Sequence, residues 1–498
     1  MYYKKLSFSY FLLTEKFFCG KILMHFEGEM IDLKKTKILA SIGPSSNEVD
    51  TFREMVMNGV NVARINFSHA TLEEREKAVD TVIKVRNELN LNIGILYDTK
   101  GPEFRNDEVE NGELLLEEGK EIKIFKEHIL GNKEGFSVNY PEALDDLEVG
   151  NIILLENGLM KIKVISKTKD YVNCKIINGG VLGNKKSLNV PDLKLNIPFI
   201  NDTDYEDIVY ACKHNADFIA LSFVSTKEDV LSVRKILKEQ NREDIKLISK
   251  IESMTGIKNI DEIIEVSDGI MVARGDLGVE VPMTKLPIYQ KMIITKCREK
   301  GKICIVATEM LESMKKNSRP TRAEVSDVAN AVLDGTDAVM LSGETTTGKY
   351  PIETVRFMAD ICEEAEKFYD NSFNFKVKTG ITETIATSVV ESSKVFDIKL
   401  VVASTVSGYT ARGISNLKPN CHILATCTSS EVARSLALNY GVVTTVVPVV
   451  TSTDEIIKIA RNKAIDIFKL TKGDKILITG GSAISHKRTT NFMKIEEI

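Results

Sequence analysis

The chain has 498 residues, 43% hydrophobic and 28% charged, a balance that excludes disorder as its main state and, at roughly 150 residues per domain, predicts about three domains. Its 66 Lys and Arg against 71 Asp and Glu leave a net charge of −5, so no global basic field draws nucleic acid, and no apolar run reaches the roughly 18–20 residues that span a membrane. Eight cysteines without a C-x-x-C pair fit free thiols in a reducing compartment, and the expected location is cytoplasmic.

Eight aromatic residues crowd the first 26 positions: Tyr2, Tyr3, Phe8, Tyr10, Phe11, Phe17, Phe18 and Phe26. Thr14-Glu15-Lys16 interrupts the apolar run Phe8 to Leu13, so a secretory core is missing, and the stretch lacks the Arg of most transit peptides. Residues 1–33 are read as an N-terminal extension.

From Lys37 onward, short apolar runs alternate with amphipathic stretches of helical period. The runs are Ile38–Ile42, Val60–Phe67, Ile93–Tyr97, Phe218–Phe223, Leu247–Ile251, Ile270–Ala273, Ile303–Ala307 and Ala338–Leu341. Eight such units predict an α/β fold, a (β/α)8 TIM barrel over 34–101 and 199–368, whose chemistry sits at the C-terminal strand ends. Those ends carry Arg64, Asn66, Ser68, Asp98, Thr99, Ser222, Lys250, Glu252, Arg274, Asp276, Thr308, Ser342 and Glu344. Unpaired ions are costly to bury, so this density of charge marks a site.

The third and fourth runs are far apart. Between them, 102–198 reads as alternating strands, Glu121–Phe125, Ile152–Leu155, Leu159–Val164 and Tyr171–Ile177, punctuated by Gly101-Pro102, Pro191 and Pro198. A small inserted β-barrel domain over the barrel mouth is expected, placed to act as a lid. Residues 369–498 resume as a doubly wound α/β unit with strands at Leu400–Ala403, His422–Ala425, Val442–Val447 and Lys475–Ile478. The loops Thr405–Thr410 and Gly480-Gly481-Ser482 could hold an anion at a helix start, although such turns are more often ordinary connections.

Lys250-Ile251-Glu252 sets an amine and a carboxylate on one side of a strand. With Asp276, Glu252 could hold a hard divalent ion, and Lys250 beside it could stabilise a phosphoryl group in transfer. A lone K-x-E is more often a structural ion pair; the glycine-bearing turn Ala273-Arg274-Gly275-Asp276 favours a site. Asn66 and Ser68, with Asp98 and Thr99, offer four oxygens suited to a weakly hydrated monovalent cation, against simple helix capping as the alternative. No Walker loop, no G-x-G-x-x-G after a strand and no Ser/His/Asp arrangement is present.

Assembled, these segments closely resemble the pyruvate kinase family from about Lys35 onward. The resemblance is carried by Lys37–Ser46, Ala63–His69, Asp98–Arg105, Lys250–Glu252, Met271–Glu280, Pro320–Glu324 and Met340–Thr345. It implies phosphoryl transfer from phosphoenolpyruvate to ADP in glycolysis. Lys250, Thr308 and Arg64 would then be catalytic, Glu252 and Asp276 would hold Mg²⁺ (or Mn²⁺), and Asn66, Ser68, Asp98 and Thr99 would hold K⁺, with Glu103 the residue type that accompanies potassium dependence. Arg64, Ala273, Arg274, Gly275, Asp276 and Thr308 would bind substrate, and Arg64, His69, Arg105 and Lys186 the nucleotide. Thr405, Ser407, Gly408 and Thr410 would take a sugar-phosphate effector, in a homotetramer that engages neither nucleic acid nor membrane.

The chain departs from the family's pattern at Glu309 (usually Gln), Glu156-Asn157 (Asp-Asp), Ser187 (Gly), Asp192 (Gly) and Ser485–Thr489, which lacks the usual glycines. Met30–Lys37 looks like the start of a compact member, so Met1–Glu29 is expected to be a leader or a mis-called start. Two other readings compete: a metal-dependent lyase or aldolase on the same barrel, which leaves the lid unexplained, and a weakly catalytic paralogue that binds sugar phosphates and regulates a partner.

Overall fold

Each of the eight apolar runs becomes a strand, with ends within two residues of expectation. The computed structural model describes residues 34–68, 70–191, 193–369, 380–481 and 489–498, with the backbone of 23–26 and 29–32. Its barrel strands are β1 (Lys37–Ser41), β2 (Val60–Asn66), β3 (Gly94–Asp98), β4 (Phe218–Leu221), β5 (Lys246–Ile251), β6 (Gly269–Ala273), β7 (Ile303–Ala307) and β8 (Ala338–Leu341). They run parallel and close into a barrel in which β8 pairs with β1 and β3 with β4. Alternation explains the apolar runs: Ile38 and Ala40 pack outward against the helices, while Leu39 joins the interior with Val62, Leu96 and Phe218. Both faces are buried, as a parallel sheet requires.

Several helices between the strands start where short polar residues satisfy free amides. Thr71 with Glu74, and Thr321 with Glu324, form reciprocal capping boxes at Leu72–Leu89 and Arg322–Leu333. The inserted segment forms a six-stranded sheet, four strands of which match the expected ones, around a core of Ile124, Phe136, Ile153, Leu155, Ile162 and Val164. The sequence pattern did not reveal Glu113–Leu116, Gly135–Ser137, Gly180–Gly183 and Leu188–Asn189. Two to four residues are too few for alternation to show.

The C-terminal unit holds β9 (Ile398–Thr405), β10 (His422–Cys427), β11 (Val442–Val446), β12 (Lys475–Gly480) and β13 (Phe492–Glu497), in the order β11-β10-β9-β12-β13. Helices cover both faces: Ile381–Val395 and Tyr409–Asn416 on one, Thr453–Phe468 on the other. The first four strands are parallel as expected; β13 is antiparallel to β12 and went unrecognised because its sequence, FMKIEE, is half charged. In the extension, the backbone of Leu23–Phe26 pairs with Glu29–Asp32, a hairpin that composition did not suggest.

The C-terminal unit stoppers the lower end of the barrel. Leu438 enters the interior cluster. Arg434 Nε lies 2.8 Å from Asp217 at the foot of β4, and Lys418 Nζ lies 2.8 Å from Asp337 at the foot of β8. Lys418 is 1% exposed at its side chain and sits 4.0 Å over the Tyr440 ring. Removing one partner of a buried pair strands the other charge. Lys418→Met is therefore expected to lower unfolding stability by about 3–5 kcal/mol, measurable by urea denaturation; an unchanged midpoint would contradict this role for the pair. With the lower end closed, access is left to the C-terminal mouth.

Candidate active site

Pleating turns alternate residues of β2, β3 and β5 into the mouth, and their charged ends converge there. Arg64 Nε donates to Asp98 Oδ2 at 2.7 Å, and Arg64 Nη1 donates to Ser41 Oγ at 2.8 Å. Lys250 Nζ contacts Asp98 Oδ1 at 3.2 Å, Ser222 Oγ at 2.7 Å and Glu252 Oε1 at 3.0 Å. The other Glu252 oxygen accepts from the Phe223 amide at 2.6 Å, which can turn inward because Phe223 takes a left-handed φ of +58°. One ammonium thus bridges two carboxylates, and a guanidinium shares one of them.

The burial of this cluster governs its protonation. Burial works to raise the Asp98 pKa, but Lys250 and Arg64 outweigh it and hold the carboxyl below its ordinary range. Burial works against the Lys250 charge, and Asp98 and Glu252 outweigh it, so the ammonium stays protonated. Glu252 differs: burial, reinforced by the nearby Asp276 charge against the pull of Lys250, pushes it up to about 7. A buried acid that feels a second carboxylate marks a space short of positive charge. Among the described residues no three His, Cys, Asp or Glu side chains gather as a metal site. The donor set fits a hard cation held by two carboxylates, with water and substrate oxygens completing the shell.

Asp276 lies in the first turn of the helix Arg274–Glu280 and lines a cavity of about 440 Å³ between the barrel mouth and the inserted domain. Arg105, Glu156, Lys186 and Phe223 line the same cavity. Arg105 is clamped by both oxygens of Glu103, each at 2.9 Å, and Lys186 Nζ meets Glu156 Oε1 at 2.6 Å. Three departures from the family pattern lie together here: Ser187 Oγ donates to Asn157 Oδ1 at 3.2 Å, and the Glu156 amide donates to the Ser187 carbonyl at 2.9 Å. The substitutions support one another in a turn where Glu156 and Asn157 are both left-handed.

Thr308 and Glu309, after β7, have φ of +69° and +55°, a conformation that costs a non-glycine pair on the order of 1–3 kcal/mol each. Arg274 holds them there. Its guanidinium is turned inward and donates to the Thr308 carbonyl at 2.7 Å and the Ala307 carbonyl at 3.3 Å, with Asp327 Oδ2 at 2.7 Å. Thr308 Oγ1 accepts from the Gly275 amide at 2.7 Å and donates to the Ala307 carbonyl at 2.6 Å. Glu309 is exposed, so its charge is solvated. Arg274 emerges as a positioning residue, a role invisible in a linear motif. Lysine cannot reproduce the fork, and Arg274→Lys is expected to lower kcat/KM about 10²-fold with an unchanged far-ultraviolet dichroism spectrum.

Asn66 and Asp98 are register partners across β2 and β3. The Ser68 amide donates to Asn66 Oδ1 at 3.0 Å, and Ser222 ties down Thr99 through its Oγ, 2.7 Å from the Thr99 carbonyl. These oxygens sit at the adjoining ends of β2 and β3 and just beyond them, beside the Arg64 and Lys250 cluster. His69, Asp192 and 485–488 lie outside the described residues. In the C-terminal unit, Thr405, Ser407 and Thr410 line a separate cavity of about 260 Å³. Gly408 caps the adjoining helix at φ +79°, where a Cβ would meet Arg412 Nη1 at 2.6 Å.

Comparison with known proteins agrees with this geometry. The family model "Pyruvate kinase, barrel domain" matches residues 33–355, and "Pyruvate kinase, alpha/beta domain" matches 383–496. A pyruvate kinase of Staphylococcus haemolyticus is 45% identical over 470 residues, 93% of this chain and 80% of that one. One from Geobacillus stearothermophilus is 42% identical over 472 residues, with the same coverage. The crystal structure of a pyruvate kinase from Cryptosporidium parvum superposes with a TM-score of 0.88 at 39% identity, covering 93% of this chain and 96% of that one. The chain belongs to the pyruvate kinase family.

Proposed function

We propose that the protein transfers the phosphoryl group of phosphoenolpyruvate to ADP, giving pyruvate and ATP. The observation that carries this reading is the buried Lys250 ammonium, held between Asp98 and Glu252 with the Asp276 charge close by. Glu252 and Asp276 would hold Mg²⁺ or Mn²⁺, which supplies charge neutralisation for phosphoryl and enolate oxygens. Lys250 and Arg64 stabilise the transferring group from the barrel side, fixed before substrate arrives by Asp98 and Ser41. Preorganised charge of this kind acts without reorganisation at the moment of transfer.

The backbone of Ala273, Arg274 and Gly275 receives the substrate carboxylate. The Gly275 amide donates to Thr308 Oγ1, so a carboxylate bound there would replace that acceptor, and the Thr308 hydroxyl, rotated away from the Ala307 carbonyl to which it donates, would turn its proton toward the enolate. Arg105 and Lys186, on the cavity wall, meet nucleotide phosphates as the inserted domain closes and excludes water. Asn66, Ser68, Asp98 and Thr99 would bind K⁺. The cavity at Thr405, Ser407 and Thr410 would take a sugar phosphate, in a homotetramer.

No helix among the described residues is long and apolar enough to cross a membrane. The substrates of the proposed reaction are water-soluble metabolites, and the proposed place of work is the cytoplasm. An assay of pyruvate formation tests the reading: product should require phosphoenolpyruvate, ADP and Mg²⁺, and Na⁺ in place of K⁺ should depress the rate strongly. Absence of pyruvate above background would sink the enzyme and favour the regulatory paralogue; equal rates in Na⁺ would refute the monovalent site.

A further inference from the structure

The inserted domain leaves the barrel after β3 through Gly101-Pro102 and returns just ahead of the helix Asp202–Lys213. Both backbone groups of Gly101 are bound at that exit. Its amide donates to Asp204 Oδ1 at 3.0 Å, and its carbonyl accepts from the Glu103 amide at 2.9 Å. Gly101 has a left-handed φ of +72°, and a Cβ there would meet Ser222 Cβ at 2.9 Å and the Ser222 carbonyl at 3.0 Å. The exit thus rests against the residue whose Oγ lies 2.7 Å from Lys250 Nζ and 2.7 Å from the Thr99 carbonyl. On the other side, Glu103 grips Arg105 with both carboxylate oxygens. One short turn links the catalytic amine to a nucleotide-facing guanidinium.

Asp204 is 2% exposed, and among the described residues no ion pair neutralises it. Its neighbour Asp207, also buried, pairs with Arg75 at 2.8 Å. An unpaired carboxylate is costly to bury. The helix dipole favours an acid in this first turn, but Asp202 meets that preference in the same turn while exposed to water. What the buried position adds is the bond to the Gly101 amide. Asn201, on the returning leg, accepts from the Asp204 amide at 2.8 Å. A single helical turn therefore ties the outgoing leg of the inserted domain to the incoming one.

We propose that Asp204 is a positioning residue for phosphoryl transfer. By holding the Gly101 amide it fixes the hinge of the inserted domain against Ser222, and so keeps Arg105 and Lys250 in a set relation as the domain closes. This role rests on the phosphoryl-transfer reading given above.

Steady-state kinetics of the full chain, with Mn²⁺ affinity measured alongside by electron paramagnetic resonance, test it. Asp204→Ala should raise the KM for ADP and lower kcat together, each about tenfold, the pattern of a displaced hinge. Mn²⁺ affinity should stay near that of the wild type, because Glu252 and Asp276 keep their places. Asp204→Asn retains an oxygen for the Gly101 amide and should restore both kinetic parameters. Asp204→Ser is too short to reach that amide; it should share the kinetics of the alanine variant and covers the case in which alanine fails to fold. A carboxylate that served the helix alone would move the melting temperature and leave the kinetics unchanged. Unchanged kcat and KM for ADP in the folded alanine or serine variant would overturn the proposal, as would an asparagine variant impaired as severely as they are. Wild type that forms no pyruvate would overturn it together with the reading on which it rests.

Discussion

Lys250→Met is expected to lower kcat by about 10³-fold or more, equivalent to about 4 kcal/mol of transition-state stabilisation. The ammonium lies between Asp98 and Glu252, where the charge of a transferring phosphoryl group would fall, and methionine keeps its length without its charge. The KM for phosphoenolpyruvate should change far less, because an interaction strongest in the transition state mainly affects kcat. The substitution also strands two buried acids. Asp98 keeps Arg64 at 2.7 Å, and Glu252, already pushed up to about 7 by burial, can take a proton. The fold should therefore persist with a lowered melting temperature. Near-normal turnover in a folded variant would contradict the role given to Lys250.

Glu252→Gln should abolish tight divalent-ion binding while preserving the local backbone, since the amide oxygen can still accept from Phe223. Mn²⁺ affinity, followed by electron paramagnetic resonance, is expected to fall roughly 100-fold, with activity falling in step. The wild type carries a matching pH signature. Its metal-free Glu252 is raised by burial to about 7, so a proton competes with the cation below that pH. Metal affinity should then drop by about tenfold per pH unit as pH falls below about 7, and level off above it. A pH-independent affinity across this range, or an unchanged affinity in the variant, would place the metal elsewhere.

Most of the site was legible in the sequence because barrel geometry assigns chemistry to strand ends. Once β2, β3, β5 and β6 are recognised by their apolar runs, Arg64, Asp98, Lys250, Glu252 and Asp276 must share one mouth. The features that escaped are three-dimensional. Nothing in a linear motif shows that Phe223 turns left-handed to give its amide to Glu252, or that the Arg274 guanidinium points inward to hold Thr308. The same limit applies to the fold. Long parallel strands buried on both faces announce themselves, whereas the two-residue strand Leu188–Asn189 and the charged β13 take their conformation from neighbours.

The departures from the family pattern show the converse. Read singly, Glu156, Asn157 and Ser187 look like lost lid functions, but the structure places them in one hydrogen-bonded turn beside Lys186. Glu309 similarly suggests a harmful charge next to Thr308 until its exposure is seen.

Phosphorus NMR of the purified protein with phosphoenolpyruvate, ADP, Mg²⁺ and K⁺ follows the transferred group itself. The phosphoenolpyruvate resonance should decline as the γ-phosphate of ATP grows one for one, and Lys250→Met should halt both. Release of inorganic phosphate in place of ATP, or transfer at the same rate without Lys250, would contradict a phosphoryl-transfer site built on that ammonium.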